Sequence, residues 1–293
     1  MLVSGLQGMG LRHLVTEMVL NFVNHDMGTY AAALAFGTAL ALFPFLIFLL
    51  GLLGAVGRPD FFDWLLEQAS VTLPAAAFGS LEQVVREVRG RGEGGLISLG
   101  IGLALWAASA GVRSLMTALN AAYDVAETRP PWKVYPLSVV YTIGIAVLIL
   151  AATGLLLIGP QAVQWLAGRV GLASTIADIW AWARWPVAVL FLFLAIATIY
   201  YVGPNLDQPF VLVTPGSVLT VAVWLAASYG FSFYVSAFGQ YGATYGSLGG
   251  VAVLLLYLFL SSAVLLLGAA LNAVIYHFVE SQGIDKEAPE AAA

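Results

Sequence analysis

From Thr29 to Val56 the chain carries no charged residue, and neither do Leu137 to Ile158, Pro186 to Val202, Pro215 to Ala237 and Ser247 to Tyr276. A helix needs about 20 apolar residues to cross the hydrocarbon of a bilayer, so these runs predict transmembrane helices. The stretch Gly94 to Asp124 adds another, distinguished by a charge inside it, Arg113. Membrane-crossing strands would alternate in polarity over about ten residues, and these runs do not alternate. The expected class is therefore all-α: a polytopic helical membrane protein with about six transmembrane helices plus interfacial amphipathic helices. A soluble domain is about half apolar and a quarter charged. This chain is 61% hydrophobic and 9% charged, with a mean hydropathy of +0.92, which excludes an ordinary soluble enzyme.

The spans imply one membrane domain over residues 1–280. Within it, residues 1–26 hold an N-terminal interfacial helix in which Leu11, Leu14, Val15, Met18, Val19, Phe22 and Val23 recur at helical spacing. Residues 58–93 leave the hydrocarbon as a helical cap, its second helix striped by Phe78, Leu81, Val85 and Val88 opposite Glu82, Arg86, Glu87 and Arg89. Residues 281–293 form an acidic tail whose composition predicts disorder. In the first span, Ala31, Ala35 and Ala39, with Ala33, Gly37 and Ala41 beside them, form small-residue ridges that let helices approach. Pro44 removes a backbone donor in mid-span and is a hinge candidate. Pro130 and Pro131 predict a break, with the third span starting at Leu137. A loop bearing Trp165, Trp180, Trp182 and Trp185 is expected before the fourth span, which closes at the turn containing Pro204 and Asn205. The glycine-rich segment from Gly239 to Gly250, including Gly246, reads as a connector or mobile gate before the last span.

Two helices carry polar seams. At about 100° per residue, Gly102, Trp106, Ser109, Arg113, Thr117, Asn120 and Asp124 share one narrow face. On the last span Ser247, Gly250, Tyr257, Ser261, Gly268 and Asn272 form a second line, and the first seam is expected to face it. The fifth span carries Ser217, Trp224, Ser228 and Ser232 along one side. A charge within a span normally faces protein or water and marks a candidate functional site. Arg113 has two readings: its long stem snorkels towards the interface or bonds Asn120 or Asp124, or its planar fork is offered to a phosphate or carboxylate. Asn272 reads as an interhelical hydrogen bond or a ligand contact. The candidate substrate path comprises Arg113, Ser109, Asn120, Asp124, Trp106, Asn272, Ser261 and Tyr257, with Pro44, Gly246, Gly250 and Pro204 as hinges or gates.

The net charge of −5 and the lack of a concentrated basic face argue against nucleic acid as a partner. Without cysteine there is no thiolate chemistry. The histidines His13, His25 and His277 fall at helix edges outside any metal-ligand spacing, so no catalytic residue, metal or cofactor is assigned. Membrane lipids are the expected partners, and the small-residue ridges would also serve a homo-oligomer. No cleaved signal peptide is apparent at the N-terminus. The loop charges, counted with an internal N-terminus, oppose the positive-inside bias.

The runs AAALAFGTALALFPFLIFL, LWAASAGVRSLMTALNAAYDVAETRPPWK, YYVGPN, FGQYGATYGSLGG and LLLGAALNAV resemble, in order, the sequence blocks of the YihY/BrkB family of bacterial inner-membrane proteins. The resemblance covers roughly Asp26 to His277 and implies six spans with both termini cytoplasmic. Ala270 stands where the family often has an acidic residue, and Phe36 where a tyrosine is common; coupling through that acid in relatives would not carry over. The old ribonuclease label attached to the family finds no metal-binding cluster here to support it. The expected function is a transporter or lipid-translocating permease for an anionic or amphiphilic substrate, working along a seam between the Arg113 helix and the last span. The alternative is a structural or regulatory module of envelope assembly, in dimeric form, without transport.

Overall fold

The structure, a computed structural model, describes residues 10–55, 94–157, 173–237 and 241–281, with Asp63, Leu66, Glu67, Glu82, Val85 and Arg86 between them. The helices are α1 (Leu11–Asn24), α2 (Met27–Ala55), α3 (Gly94–Ala122), α4 (Pro131–Leu157), α5 (Ala173–Val202), α6 (Pro215–Ala237) and α7 (Tyr241–Ser281). Five apolar stretches are long enough to cross a membrane: Gly102–Ala122, Pro131–Leu148, Trp182–Val202, Pro215–Val235 and Gly250–Ser281. With α2, a 29-residue helix without a charge, they make the expected polytopic helical membrane protein. No strand occurs among the described residues.

Three boundaries differ from expectation. Helix α4 begins at Pro131 rather than Leu137, because proline at the first helical position gives up a donor that has no intrahelical partner there. Helix α5 begins at Ala173 and runs through Pro186, so Trp180, Trp182 and Trp185 lie on a helix and not in a loop. The segment read as a glycine connector is helical from Tyr241 onward, with Gly246 and Gly250 inside α7. In hydrocarbon every backbone donor and acceptor needs a partner within the chain, a larger demand than the roughly 1 kcal/mol that a glycine costs a helix. Pro44 likewise sits within a continuous α2. The expected cap over residues 58–93 lies almost wholly outside the described residues. Of it, Val85 is buried and Arg86 pairs with Glu82 at 2.6 Å.

Successive spans alternate in direction. One end of the bundle, here the proximal end, therefore gathers the N-termini of α2, α4 and α6 and the C-termini of α3, α5 and α7. The main core sits there, built from Met27, Leu34, Leu119, Tyr123, Tyr200 and Leu266, all at most 5% exposed. Ala31 and Ala35 are buried too, so this ridge of small residues is spent on packing within the chain. Helix α1 lies against the proximal end: Leu14 joins Leu271, Ile275 and Val279 of α7. Leu11, Val15, Val19 and Val23 remain exposed, which suits an interfacial helix bundled on one side and wetted by headgroups on the other. The end of α7 and the helix nearest the N-terminus thus share one end of the molecule.

Helices α6 and α7 approach backbone to backbone at two glycines. A Cβ on Gly268 would collide with Thr220 Oγ1, with the Tyr200 hydroxyl and with the Gly216 carbonyl. A Cβ on Gly216 would collide with the Gly268 carbonyl and the Asn272 amide. Replacing Gly268 by Val should therefore force the helices apart. We expect a loss of about 3 kcal/mol or failure to fold, read as a lowered thermal midpoint in detergent beside a Gly250→Ala control, since Gly250 has open space around it.

Candidate functional site

Arg113 lies nine residues before Ala122, the last residue of α3, or about 13 Å of helix rise. Its Nη1 donates to Ser109 Oγ at 2.6 Å on its own helix and to Ser138 Oγ at 3.1 Å on α4. The guanidinium carbon stands 4.6 Å from the centre of the Tyr135 ring and 5.5 Å from that of Trp106. Those two rings stack on each other at 5.3 Å and 12°. The serine spacing explains the local arrangement, since residues 109 and 113 are one turn apart on α3. Thus the helix facing Arg113 is α4, not the last span. No carboxylate of the described residues pairs with it.

The polar line on α7 finds its partner on α6. Tyr257 and Ser228 share a hydrogen bond of 3.1 Å, and the Trp224 indole N–H donates to Ser261 Oγ at 3.2 Å. Deeper towards the proximal end, Asn272 donates through Nδ2 to Thr214 Oγ1 at 3.0 Å and accepts from the Gly216 amide at 2.9 Å. Thr214 caps α6: its Oγ1 accepts the Ser217 amide at 3.0 Å while Ser217 Oγ accepts the Thr214 amide at 2.8 Å. Asn272 thus satisfies one of the first-turn donors that a helix leaves unpaired. Every one of these contacts is internal to the α6–α7 pair.

Asn120 and Asp124 belong to a third group at the proximal end. Asp124 has φ 52 and closes α3, with the Val125 amide donating to the Asn120 carbonyl at 2.9 Å and the Asp124 amide to that of Ala121 at 3.1 Å. This is the left-handed helix ending that short polar side chains tolerate. The Asp124 carboxylate is 79% exposed, 3.8 Å from His25 Nε2, and so leaves the seam for solvent. His277 Nε2 donates to the Tyr123 carbonyl at 3.0 Å, tying α7 to the same turn.

Asn120 turns inward instead. Its Nδ2 donates to Glu127 at 2.9 Å, and its Oδ1 accepts the Asn205 amide at 2.7 Å. Glu127 takes the Nε–Nη2 edge of Arg129 in a bidentate pair, at 2.7 Å from Nε and 2.6 Å from Nη2, and Nη2 also donates to the Gly203 carbonyl at 3.1 Å. Asn205 Nδ2 completes the latch by donating to Thr128 Oγ1 at 2.7 Å and to the Ala126 carbonyl at 3.1 Å. Buried Pro204 lies inside this latch, a rigid corner between two clamped residues. Ser138 and Tyr135 beside Arg113, and Glu127 and Arg129 in the latch, are residues that sequence reasoning missed; the latch pair had a legible signal. That signal was an acid and a base two apart in a short turn, the acid seven residues beyond an in-span asparagine.

A separate cavity of about 30 Å³ is lined by Tyr123, Tyr200, Tyr201, Gln208, Thr214 and Asn272, room for about one water. The candidate residues are therefore distributed over three places: Arg113, Ser109 and Trp106 against α4; Asn272, Ser261 and Tyr257 against α6; Asn120 and Asp124 at the proximal turn. Among the described residues no three His, Asp or Glu side chains gather where a metal ion could bind.

The Arg129 guanidinium, foremost, holds the Glu127 carboxyl below its ordinary value of 4.5. A lowered folded value gives stability that is present above pH 4.5 and is lost as the pH falls through the lower folded value. Glu127→Gln should cost about 1 kcal/mol at neutral pH, the partial exposure of the pair limiting the effect. It should also flatten the acid side of the stability curve; thermal midpoints at a series of pH values, wild type beside variant, check both.

The model of a family described as "Virulence factor BrkB" matches residues 18–292. A Bacillus subtilis protein named "Putative ribonuclease-like protein YfkH" is 35% identical over 260 residues, covering 89% of this chain and 94% of its own. "UPF0761 membrane protein" sequences from Xanthomonas campestris and Xanthomonas axonopodis are each 28% identical over 267 residues, 85% of this chain. This chain spans only 57% and 58% of those two relatives' lengths. No solved structure matches. With nearly its whole length matched by the family model, and with the polytopic helical fold described above, the chain belongs to the virulence factor BrkB family of membrane proteins.

Proposed function

We propose that this protein is an inner-membrane permease that moves an anionic or amphiphilic substrate past Arg113, and that it is not an enzyme. The observation that carries the reading is a half-buried arginine in mid-span whose bonded partners are two neutral hydroxyls. A charge in that position is costly, and an unneutralised one is retained most economically where its counter-charge arrives with a substrate. The α3–α4 face replaces the α3–α7 seam as the path, because the α7 polar line is consumed by α6. The ribonuclease-like wording belongs to the Bacillus relative's name, and nuclease chemistry needs clustered ligands for metal and water activation.

Both termini are placed in the cytoplasm by this reading, so that the latch and the acidic tail face the cell interior. The second reading, a structural or regulatory module, draws support from the clamped proximal end. There Arg129, Glu127, Asn120 and Asn205 hold two interhelical turns together, as a scaffold would require. The burial of Ala31 and Ala35 weighs against its dimeric form through that ridge.

Reconstituted in liposomes, wild-type protein should scramble or transport labelled anionic lipid or release a trapped organic anion. Arg113→Gln should reduce that rate at least about tenfold at near-normal thermal stability, and Arg113→Lys should recover only part of it, since an ammonium lacks the planar fork. Equal rates in all three proteins would remove Arg113 from the path. Absence of any flux for wild type would favour the scaffold.

A further inference from the structure

The hydrogen bonding around Arg113 fixes which of its edges is open. A guanidinium has five N–H donors. Nη1 is engaged by Ser109 and Ser138. Each serine spends its own proton on a carbonyl, Ser109 on Trp106 and Ser138 on Tyr135, both at 2.7 Å. Carbonyls only accept, so both hydroxyls present lone pairs to Nη1 and orient the guanidinium without neutralising it. The Nε–H and Nη2–H edge, which carries the two parallel donors suited to an oxyanion, has no partner among the described residues. The Trp106 indole N–H and the Tyr135 hydroxyl are also without hydrogen-bond partners there.

The surroundings select how an anion reaches this edge. Trp106 is 50% exposed and Tyr135 40% exposed. Leu103, about one helical turn before Trp106 on α3, is exposed as well, so the outer surface on this side is apolar. A free ion would have to leave water to reach Arg113 by that face. A phospholipid brings its phosphate on an apolar body that the same surface accepts.

We infer that the groove between α3 and α4 is a binding site for a phosphate group, delivered by a membrane phospholipid and held by the open edge of Arg113. This inference names the substrate class at the site on which the permease reading rests. Ser109 and Ser138 act as positioning residues and the stacked Trp106–Tyr135 pair as the wall. The phosphate sits deeper than the ordinary headgroup plane, because Arg113 stands about 13 Å of helix from the end of α3.

The test is binding, measured separately from transport. Purified full-length protein in a neutral detergent is titrated with phosphatidylglycerol and, as a phosphate-free lipid, diacylglycerol, and bound lipid is counted by native mass spectrometry. Phosphatidylglycerol should bind, diacylglycerol should bind at least about tenfold more weakly, and Arg113→Gln should remove that preference. Ser138→Ala keeps the charge but loosens its orientation, and should weaken phosphatidylglycerol by a few fold. It also serves as the second variant should Arg113→Gln fail to fold. Inorganic phosphate in large excess should not displace the lipid; full displacement would assign the site to free phosphate and overturn the lipid source. Equal binding of both lipids, or unchanged preference in Arg113→Gln, would overturn the site itself. Binding with these properties in a protein that shows no flux would leave the site standing and remove the permease reading. Flux that depends on Arg113 without lipid preference would do the reverse.

Discussion

Two glycines bring α6 and α7 into backbone contact, and the seating of α5 follows from it. Where Gly216 and Gly268 meet, backbone touches backbone. In lipid, helices gain little from apolar burial and associate through close packing and interhelical hydrogen bonds, worth about 1 kcal/mol each. The approach brings Asn272 within reach of the open first turn of α6. It also places the Tyr200 hydroxyl between Thr220 and the Leu265 carbonyl, at 2.7 Å from each, which docks α5 on the same pair. With α5 fixed, its closing turn at Gly203 and Asn205 lies beside the turn after α3, and the Glu127–Arg129 latch joins them.

That economy gives Arg113 its meaning. Along the α6–α7 contact Tyr257, Ser261 and Asn272 each spend their polar groups on the α6 side, on Ser228, on Trp224, and on Thr214 and Gly216. On the α3–α4 side the serines orient a positive charge and leave its better edge unused. One polar line is therefore a hydrogen-bonded joint, while the other holds a charge whose Nη1 alone is engaged. The distinction rests on protons: a hydroxyl that has given its hydrogen to a carbonyl can accept from a guanidinium but cannot neutralise it.

The sequence placed the spans, the amphipathic α1 and the two polar faces where the structure has them, because hydrocarbon enforces helices and leaves periodicity as a legible record of each face. Pairing was not legible. By spacing, the face holding Tyr257, Ser261 and Asn272 is a counterpart for Arg113, and the row Ser217, Trp224 and Ser228 on α6 is equally eligible. Spacing cannot choose between two complementary faces. Asp124 extended the Arg113 face on a helical wheel, yet helix α3 ends at Ala122, and the left-handed residue after it turns the carboxylate outward. The glycine-rich start of α7 read as a loop because glycine is a weak helix former in water, a penalty that the water-free interior outweighs. Glu127 and Arg129 are visible only as loop charges, since the bond that ties the pair to the second turn, Arg129 to Gly203, joins residues 74 apart in the chain.

By itself, then, the sequence determined that this chain is a helical membrane protein, which runs cross the bilayer, and that Arg113 is the charge within them. Local composition and periodicity suffice for that, because the bilayer supplies the same constraint to every segment. The tertiary structure alone decided that α6 takes the polar line of α7, that α4 takes Arg113, and that Asn120 serves a latch. Those outcomes depend on which helices approach closely enough for a side chain of a few ångströms to span the gap, a distance set by small residues on two helices at once.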